Sequence, residues 1–151
     1  MNLPDRPKPR QNETRDLTRP IIVALNKIEG VRVVRNVDRG LMVPARLIHL
    51  PNPPKVLTGL GKGGSDIVGV VKLDMQIDLG PIQFKSIGRL FTLEIKYHGR
   101  TKTRHAPDQA RWRRSVQLLG GFAGLIVARN EDEGIRMAVE AVERCRRGES
   151  E

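Results

Sequence analysis

Aromatic residues are scarce in this chain: one Trp, one Tyr and three Phe make up 3% of it. A folded core must therefore be built from Val, Ile and Leu. Cysteine occurs once, as Cys145, which excludes an intrachain disulfide and leaves no paired-thiol zinc motif. His49, His98 and His105 lack metal-ligand spacing. No run approaches the roughly 18 apolar residues that cross a bilayer, so no membrane partner is expected. The N-terminus has no apolar signal core and carries three prolines in its first nine residues. The expected compartment is intracellular and reducing: cytoplasm or nucleoid, or the host cell for a viral protein. Acidic residues are also in the minority, 17 against 27 Lys and Arg, for a net charge of +10 over 151 residues. That excess points to a polyanionic partner, nucleic acid first, because dense phosphate releases counterions on binding.

What is present reads as one domain. Residues 1–16 are polar and Pro-rich and read as a flexible arm, followed by a single domain over 17–148. Leu17, Ile21, Leu25 and Ile28 recur at helical spacing, with Pro20 in the first turn and Gly30 at the end. The β-branched run from Val31 to Val37 reads as a strand. Residues 38–63 are irregular, with a short strand within Leu41–Leu50. The stretch SDIVGVV is a buried-type strand. Lys72 to Lys85 alternates around Gly80-Pro81 as a hairpin does, and Leu90–Tyr97 is a further strand. Pro107 opens a helix reaching Leu119, stopped by Gly120-Gly121. Phe122–Ala128 is an apolar strand, and Asn130 caps a last helix with acids at its start and arginines at its end.

The constellation with chemical content is Asp66, at the head of a Val/Ile strand, followed by Glu94-Ile95-Lys96. Residues two apart on a strand share a face, so Glu94 and Lys96 point together and Ile95 points into the core. Two carboxylates and a main-chain carbonyl, such as that of Ile95, suit a hard cation: Mg²⁺ or Mn²⁺. The metal polarises a phosphate and lowers the pKa of bound water, while the lysine orients that water and meets the developing charge. An E-x-K triplet alone is weak, because alternating charges on a half-exposed strand form ordinary surface salt bridges.

The runs GGSDIVGVV, GRLFTLEIKYHG and QARWRRSVQLLGGFAGLIVAR together resemble the VRR-NUC branch of the PD-(D/E)XK nucleases. In order they show Gly-x-x-Asp-aliphatic, acidic-x-Lys, a helix with Gln-x-x-Trp, and a Gly turn before a strand ending Val-x-Arg, spanning Gly63 to Arg129. The resemblance implies an α/β fold with the restriction-endonuclease-like αβββαβ core, a mixed sheet flanked by helices, and metal-dependent phosphodiester hydrolysis. It implies Asp66 and Glu94 as metal ligands, Lys96 as the catalytic lysine and Gln109 as the helix glutamine at the site. It also implies an acid in the first helix. Glu13 matches best, with Asp16 and Glu29 as rivals, although Pro20 disfavours an unbroken helix from Glu13. The segment Lys72–Arg89 is an insertion relative to the family; Asp74 and Asp78 in it are read as exposed strand residues.

Lys62, Arg100, Lys102, Arg104, Arg111 and Arg114 are the expected DNA-binding residues, the last five lying just after Lys96. The cluster GLGKGG is neither a dinucleotide fingerprint nor a Walker loop, because a strand follows it and Gly63 follows Lys62. Trp112 is expected to pack under its helix, and Cys145 to be packed in the last helix. The expectation is an Mg²⁺/Mn²⁺-dependent endodeoxyribonuclease acting on branched or duplex DNA. Stand-alone members of the family resemble dimeric four-way-junction resolvases, so a homodimer is implied. Nicking or flap cutting by the same chemistry remains open, as does a non-catalytic basic nucleic-acid-binding protein.

Overall fold

A computed structural model describes residues 12–36, 39–42, 55–58, 64–74, 77–78, 83–84, 86–99 and 106–151. The chain enters through a π-helical turn, Thr14–Thr18, which runs into α1, Arg19–Leu25. Strands β1 (Val31–Arg35), β2 (Arg39–Met42), β3 (Lys55–Thr58), β4 (Ile67–Leu73), β5 (Ile77–Asp78), β6 (Gln83–Phe84) and β7 (Ile87–Tyr97) follow. Then come α2 (Ala106–Leu118), β8 (Phe122–Ala128) and α3 (Glu131–Arg146). The principal sheet is mixed, in the order β1-β4-β7-β8. β1, β4 and β7 pair antiparallel, and β8 joins β7 in parallel, which the α2 crossover permits. The fold is thus α/β, a four-stranded mixed sheet flanked by helices.

Alternation along the strands assigns the layers. Val31, Val33, Ile67, Val71, Phe91, Leu93, Ile95, Phe122 and Ile126 face α1 and α3, where Leu17, Ile21, Leu25, Ala138, Val142 and Cys145 complete the core. Phe91 and Phe122 stack with ring centroids 5.3 Å apart. The opposite face of β7 and β8 lies under α2. Thr92, Glu94 and Lys96 point that way, and all three are buried.

The elements end for local reasons. Gly120, at φ +82°, takes the left-handed position after α2, and its successor Gly121 donates back to the Val116 carbonyl at 2.9 Å. The Asn130 side chain accepts from Glu133 N at 2.9 Å and caps α3. Arg89 fastens these ends to β7: its guanidinium donates to the carbonyls of Gly120 and Cys145, each at 2.8 Å, and of Gly121 at 3.3 Å.

Several boundaries differ from those read in the sequence. The arm was expected to reach residue 16, but helical structure begins by Glu13 and Leu17 is wholly buried. Residues 1–11 lie outside the described residues. The expected hairpin in 72–85 exists as β5 paired with β6, which continues the β4–β7 pair with its register offset by one residue. β7 begins at Ile87, three residues earlier than expected. A short strand was expected around Leu41–Leu50; β2 overlaps it only at Leu41 and Met42, residues 43–50 lie outside the described residues, and β3 falls in a stretch read as irregular.

Candidate active site

One end of the principal sheet gathers the charged residues. β4 starts there, β7 ends there, and antiparallel pairing makes these the same end. β4 pairs with β7 only as far as Ile67 opposite Leu93, so the last residues of β7 extend beyond it. Asp66 fills the next place: its Oδ2 accepts from Ile95 N at 2.8 Å. Glu13 fills the place after that, its Oε1 accepting from Tyr97 N at 3.2 Å. Two carboxylates therefore continue, along the edge of β7, the hydrogen bonding that a strand would have supplied. A strand residue presents its N–H and C=O to the same side, so the Ile95 carbonyl also faces this gap.

On the α2 side of β7, Lys96 Nζ lies 2.6 Å from Glu94 Oε1. Gln109, in the first half of α2, donates to the same Glu94 oxygen. The Glu94 side chain is 1% exposed and that of Lys96 11%. Glu94 Oε2 is buried with no hydrogen-bond partner among the described residues. Burial and then the Asp66 charge push the Glu94 carboxyl up to about 7, against the pull of Lys96 and Arg113. Burial also holds the Asp66 carboxyl above its ordinary value, outweighing the Ile95 N–H and the charges of Lys96 and Arg35; Glu13 adds to the rise. Burial pulls the Lys96 ammonium down, but the bond to Glu94 and the charges of Glu94, Asp66 and Glu13 overcome it and hold the pKa above the ordinary value.

Of the three candidate acids in the first helix, Glu13 is the one whose charge acts on both Asp66 and Lys96. Pro20 does not break the helix away from Glu13, because the turn before it is π-wide. The extra residue puts Pro20 in the first turn of α1, where a missing N–H costs nothing. Thr18 Oγ1 closes the wide turn by donating to the Glu13 carbonyl at 3.2 Å. Asp16 is bound to Arg15 at 2.5 Å and accepts from the Tyr97 hydroxyl at 3.4 Å. Glu29 stands at the other end of the sheet, next to Gly30, which pairs with Lys72.

Arg111 and Arg114, expected on DNA, lie on the outer face of α2. Its sheet-facing side carries Gln109, Trp112, Arg113 and Val116, at spacings of three and four; Val116 is buried, and the other three are partly buried. Arg111 is paired with Asp108 at 2.7 Å. Arg113, which was not among the residues expected on DNA, is the arginine of this helix whose charge reaches Glu94. The signal was available: it follows Gln109 by four residues. Arg35, also missed, ends β1 beside Asp66. Lys62, Arg100, Lys102 and Arg104 lie outside the described residues, as do Gly59, Gly61, Gly63, His49 and His105. Asp74 is exposed and paired with Lys72 at 3.0 Å. His98 is exposed at the turn after β7, and Cys145 is buried.

Among the described residues, no group of three or more His, Cys, Asp or Glu side chains stands ready to hold a metal ion. Chemically the site is nonetheless suited to a cation. Glu13, Asp66 and Glu94 set three carboxylates around the ammonium of Lys96, with the Arg35 and Arg113 charges acting from outside, and a buried carboxylate oxygen without a partner is costly. Among the described residues no helix is long and apolar enough to cross a membrane. No protein-family model, curated protein or solved structure matches the chain.

Proposed function

We propose that the chain is a metal-dependent endodeoxyribonuclease with a PD-(D/E)XK-type core, and that the end of the sheet holding Asp66, Glu94 and Lys96 is its active centre. The observation that carries the reading is the buried Glu94–Lys96 pair beside Asp66, with one Glu94 oxygen left unpartnered. With the β2–β3 and β5–β6 pairs set aside, the succession α1, β1, β4, β7, α2, β8 is the αβββαβ order such a core would have, which supports the reading. Asp66, Glu94 and the Ile95 carbonyl would hold Mg²⁺ or Mn²⁺, with Glu13 at its margin. The bound ion supplies Lewis-acid polarisation of a phosphoryl oxygen and a water of lowered pKa.

The chain's own groups do the rest. The Ile95 N–H fixes the Asp66 carboxylate in one orientation, and Gln109 does the same for Glu94. Lys96, held protonated by its acidic neighbours, donates to the attacking water and balances the negative charge on the phosphoryl oxygens. In the reaction the water oxygen bonds to phosphorus and one P–O ester bond breaks. The water's proton ends on the departing sugar oxygen, leaving a phosphate monoester and a hydroxyl. Symmetric cutting of a four-way junction needs two such centres, so the proposal includes a homodimer, with nicking or flap cutting as the single-site alternative.

The test is cleavage of labelled four-way junction and linear duplex DNA with Mg²⁺, Mn²⁺ or EDTA. Metal-dependent cutting is expected, reduced at least about a hundredfold in both Asp66→Ala and Lys96→Ala. Preference for the junction, with a dimer in sedimentation, supports the resolvase form; a monomer indifferent to the junction removes it. A second reading, a non-catalytic nucleic-acid-binding protein, draws on the net charge of +10 and on the Lys96–Glu94 contact as a closed structural pair. Binding without cutting in any metal, unchanged in both variants, decides for it.

A further inference from the structure

We infer that Arg35 and Arg113 are the two arms of a phosphate clamp, gripping the nucleic-acid backbone on either side of the phosphate presented to Lys96. The central phosphate rests on the nuclease reading; the arms rest on their own placement. Arg113 lies one turn beyond Gln109 on the face of α2 turned to the sheet, and Gln109 is bonded to Glu94. α2 runs back from the site end of the sheet, so Arg113 is rooted one turn deeper than Gln109; helical side chains lean towards the N-terminus, which carries its guanidinium back towards Glu94 on the α2 side. Its charge is felt by Glu94.

Arg35 is the last residue of β1 and pairs in register with Ile67, the residue after Asp66. Its neighbour Asn36 donates to the Asp66 carbonyl at 2.9 Å, which holds this strand end against the site. Alternation with the buried Val31 and Val33 puts Arg35 on the α1–α3 side of the sheet. It is exposed, and its charge is felt by Asp66. The two arginines thus reach towards the same carboxylate centre from opposite faces of the sheet, Arg35 from the end of β1 and Arg113 from the inner side of α2.

A backbone running from the end of β1 over the Lys96 centre towards α2 would meet Arg35 first and Arg113 last. Guanidinium matches phosphate by paired N–H donors, and a fixed pair of them sets the register of the chain being cut. The ligand class is therefore a strand with consecutive phosphodiesters. A mononucleotide or inorganic phosphate reaches only one arm.

The test is binding of a labelled duplex in EDTA, where nothing is cut, across a series of salt concentrations. Wild type is compared with Arg35→Gln, Arg113→Gln, the double variant and Arg114→Gln, with thermal melts to show that each is folded. Each single clamp variant is expected to lower the slope of log K against log salt by about 0.9, the double by about twice that. Affinity falls about three- to tenfold for each, and Arg113→Lys restores part of it. Arg114→Gln changes the slope less than Arg113→Gln does. Wild-type slopes in Arg35→Gln and Arg113→Gln, or an equal loss in Arg114→Gln, overturn the clamp. Wild-type cleavage in Mg²⁺ is run alongside. Cutting with unchanged slopes removes the clamp and leaves the nuclease; lost slopes without cutting leave the clamp and remove the nuclease.

Discussion

At the scale of residues, Glu94 carries the sharpest consequence. Its carboxyl is pushed up to about 7 from an ordinary 4.5 by burial and by Asp66. Between those values the folded chain holds a proton that the unfolded chain has released. Stability therefore falls as pH rises through that window, and it does not recover above it. Asp66, raised in the same direction, adds to the slope. Replacing Glu94 by Gln removes the titrating group and keeps an oxygen for Lys96 and Gln109 to donate to. The stability of Glu94→Gln relative to wild type is expected to grow by about 2 kcal/mol from pH 5 to pH 8, in metal-free buffer. Urea denaturation at the two pH values reads this directly. Parallel curves for the two proteins would mean that Glu94 ionises as an ordinary glutamate.

At the scale of elements, the pairing of β1 with β4 decides where Asp66 stands, since Asp66 heads β4. The two strands approach unusually closely at Gly69. A Cβ there would lie 2.0 Å from the Arg32 carbonyl oxygen and 2.6 Å from the Val33 Cα. Both are backbone atoms, so no side chain can swing aside. Gly69→Ala is expected to destabilise the fold by about 3 kcal/mol or more. The same displacement should reduce the proposed cleavage at Asp66 under conditions where the variant is still folded. A denaturation midpoint equal to wild type would show that the strands separate freely and that this approach is not tight.

This scale also shows which features the sequence disclosed. β4, β8 and the second half of β7 were legible because each is an apolar run on a strand buried on at least one face. The start of β7 was not, because Gly88 and Arg89 look like turn residues, whereas Arg89 is in fact engaged by the ends of two helices. The helical start at Glu13 was obscured by Pro20, since a π-wide turn leaves no clear mark in sequence. Asp66, Glu94 and Lys96 were legible as a face-sharing pair and a strand-head acid. Arg113 was legible only through Gln109: the face of α2 towards the sheet is sparsely apolar, with Trp112 and Val116 as its large members, so apolar periodicity does not say which arginine turns inward, whereas the four-residue spacing from Gln109 does.

Over the whole molecule, charge is distributed against its own average. The chain carries +10, yet one end of the sheet gathers Glu13, Asp66 and Glu94 around Lys96, with the charges of Arg35 and Arg113 acting from outside the group. The bulk charge and the two arginines favour a polyanion, while the carboxylates at the centre oppose it where a phosphate would have to come. A divalent cation bound among them would relieve their repulsion and make the centre attractive to phosphate. Binding to the folded chain alone also stabilises it by mass action, about 2.7 kcal/mol at a hundred times Kd. Mg²⁺ or Mn²⁺ is therefore expected to raise the melting temperature of the wild type with no DNA present, and to tighten its binding of DNA. Both effects should be lost in Asp66→Ala, while Asp74→Asn, altered at an exposed acid paired only with Lys72 among the described residues, retains them. Differential scanning calorimetry against metal concentration measures the first effect independently of any cleavage. An equal rise in Asp66→Ala would place the cation elsewhere on the molecule and leave the acidic end of the sheet as a structural network only.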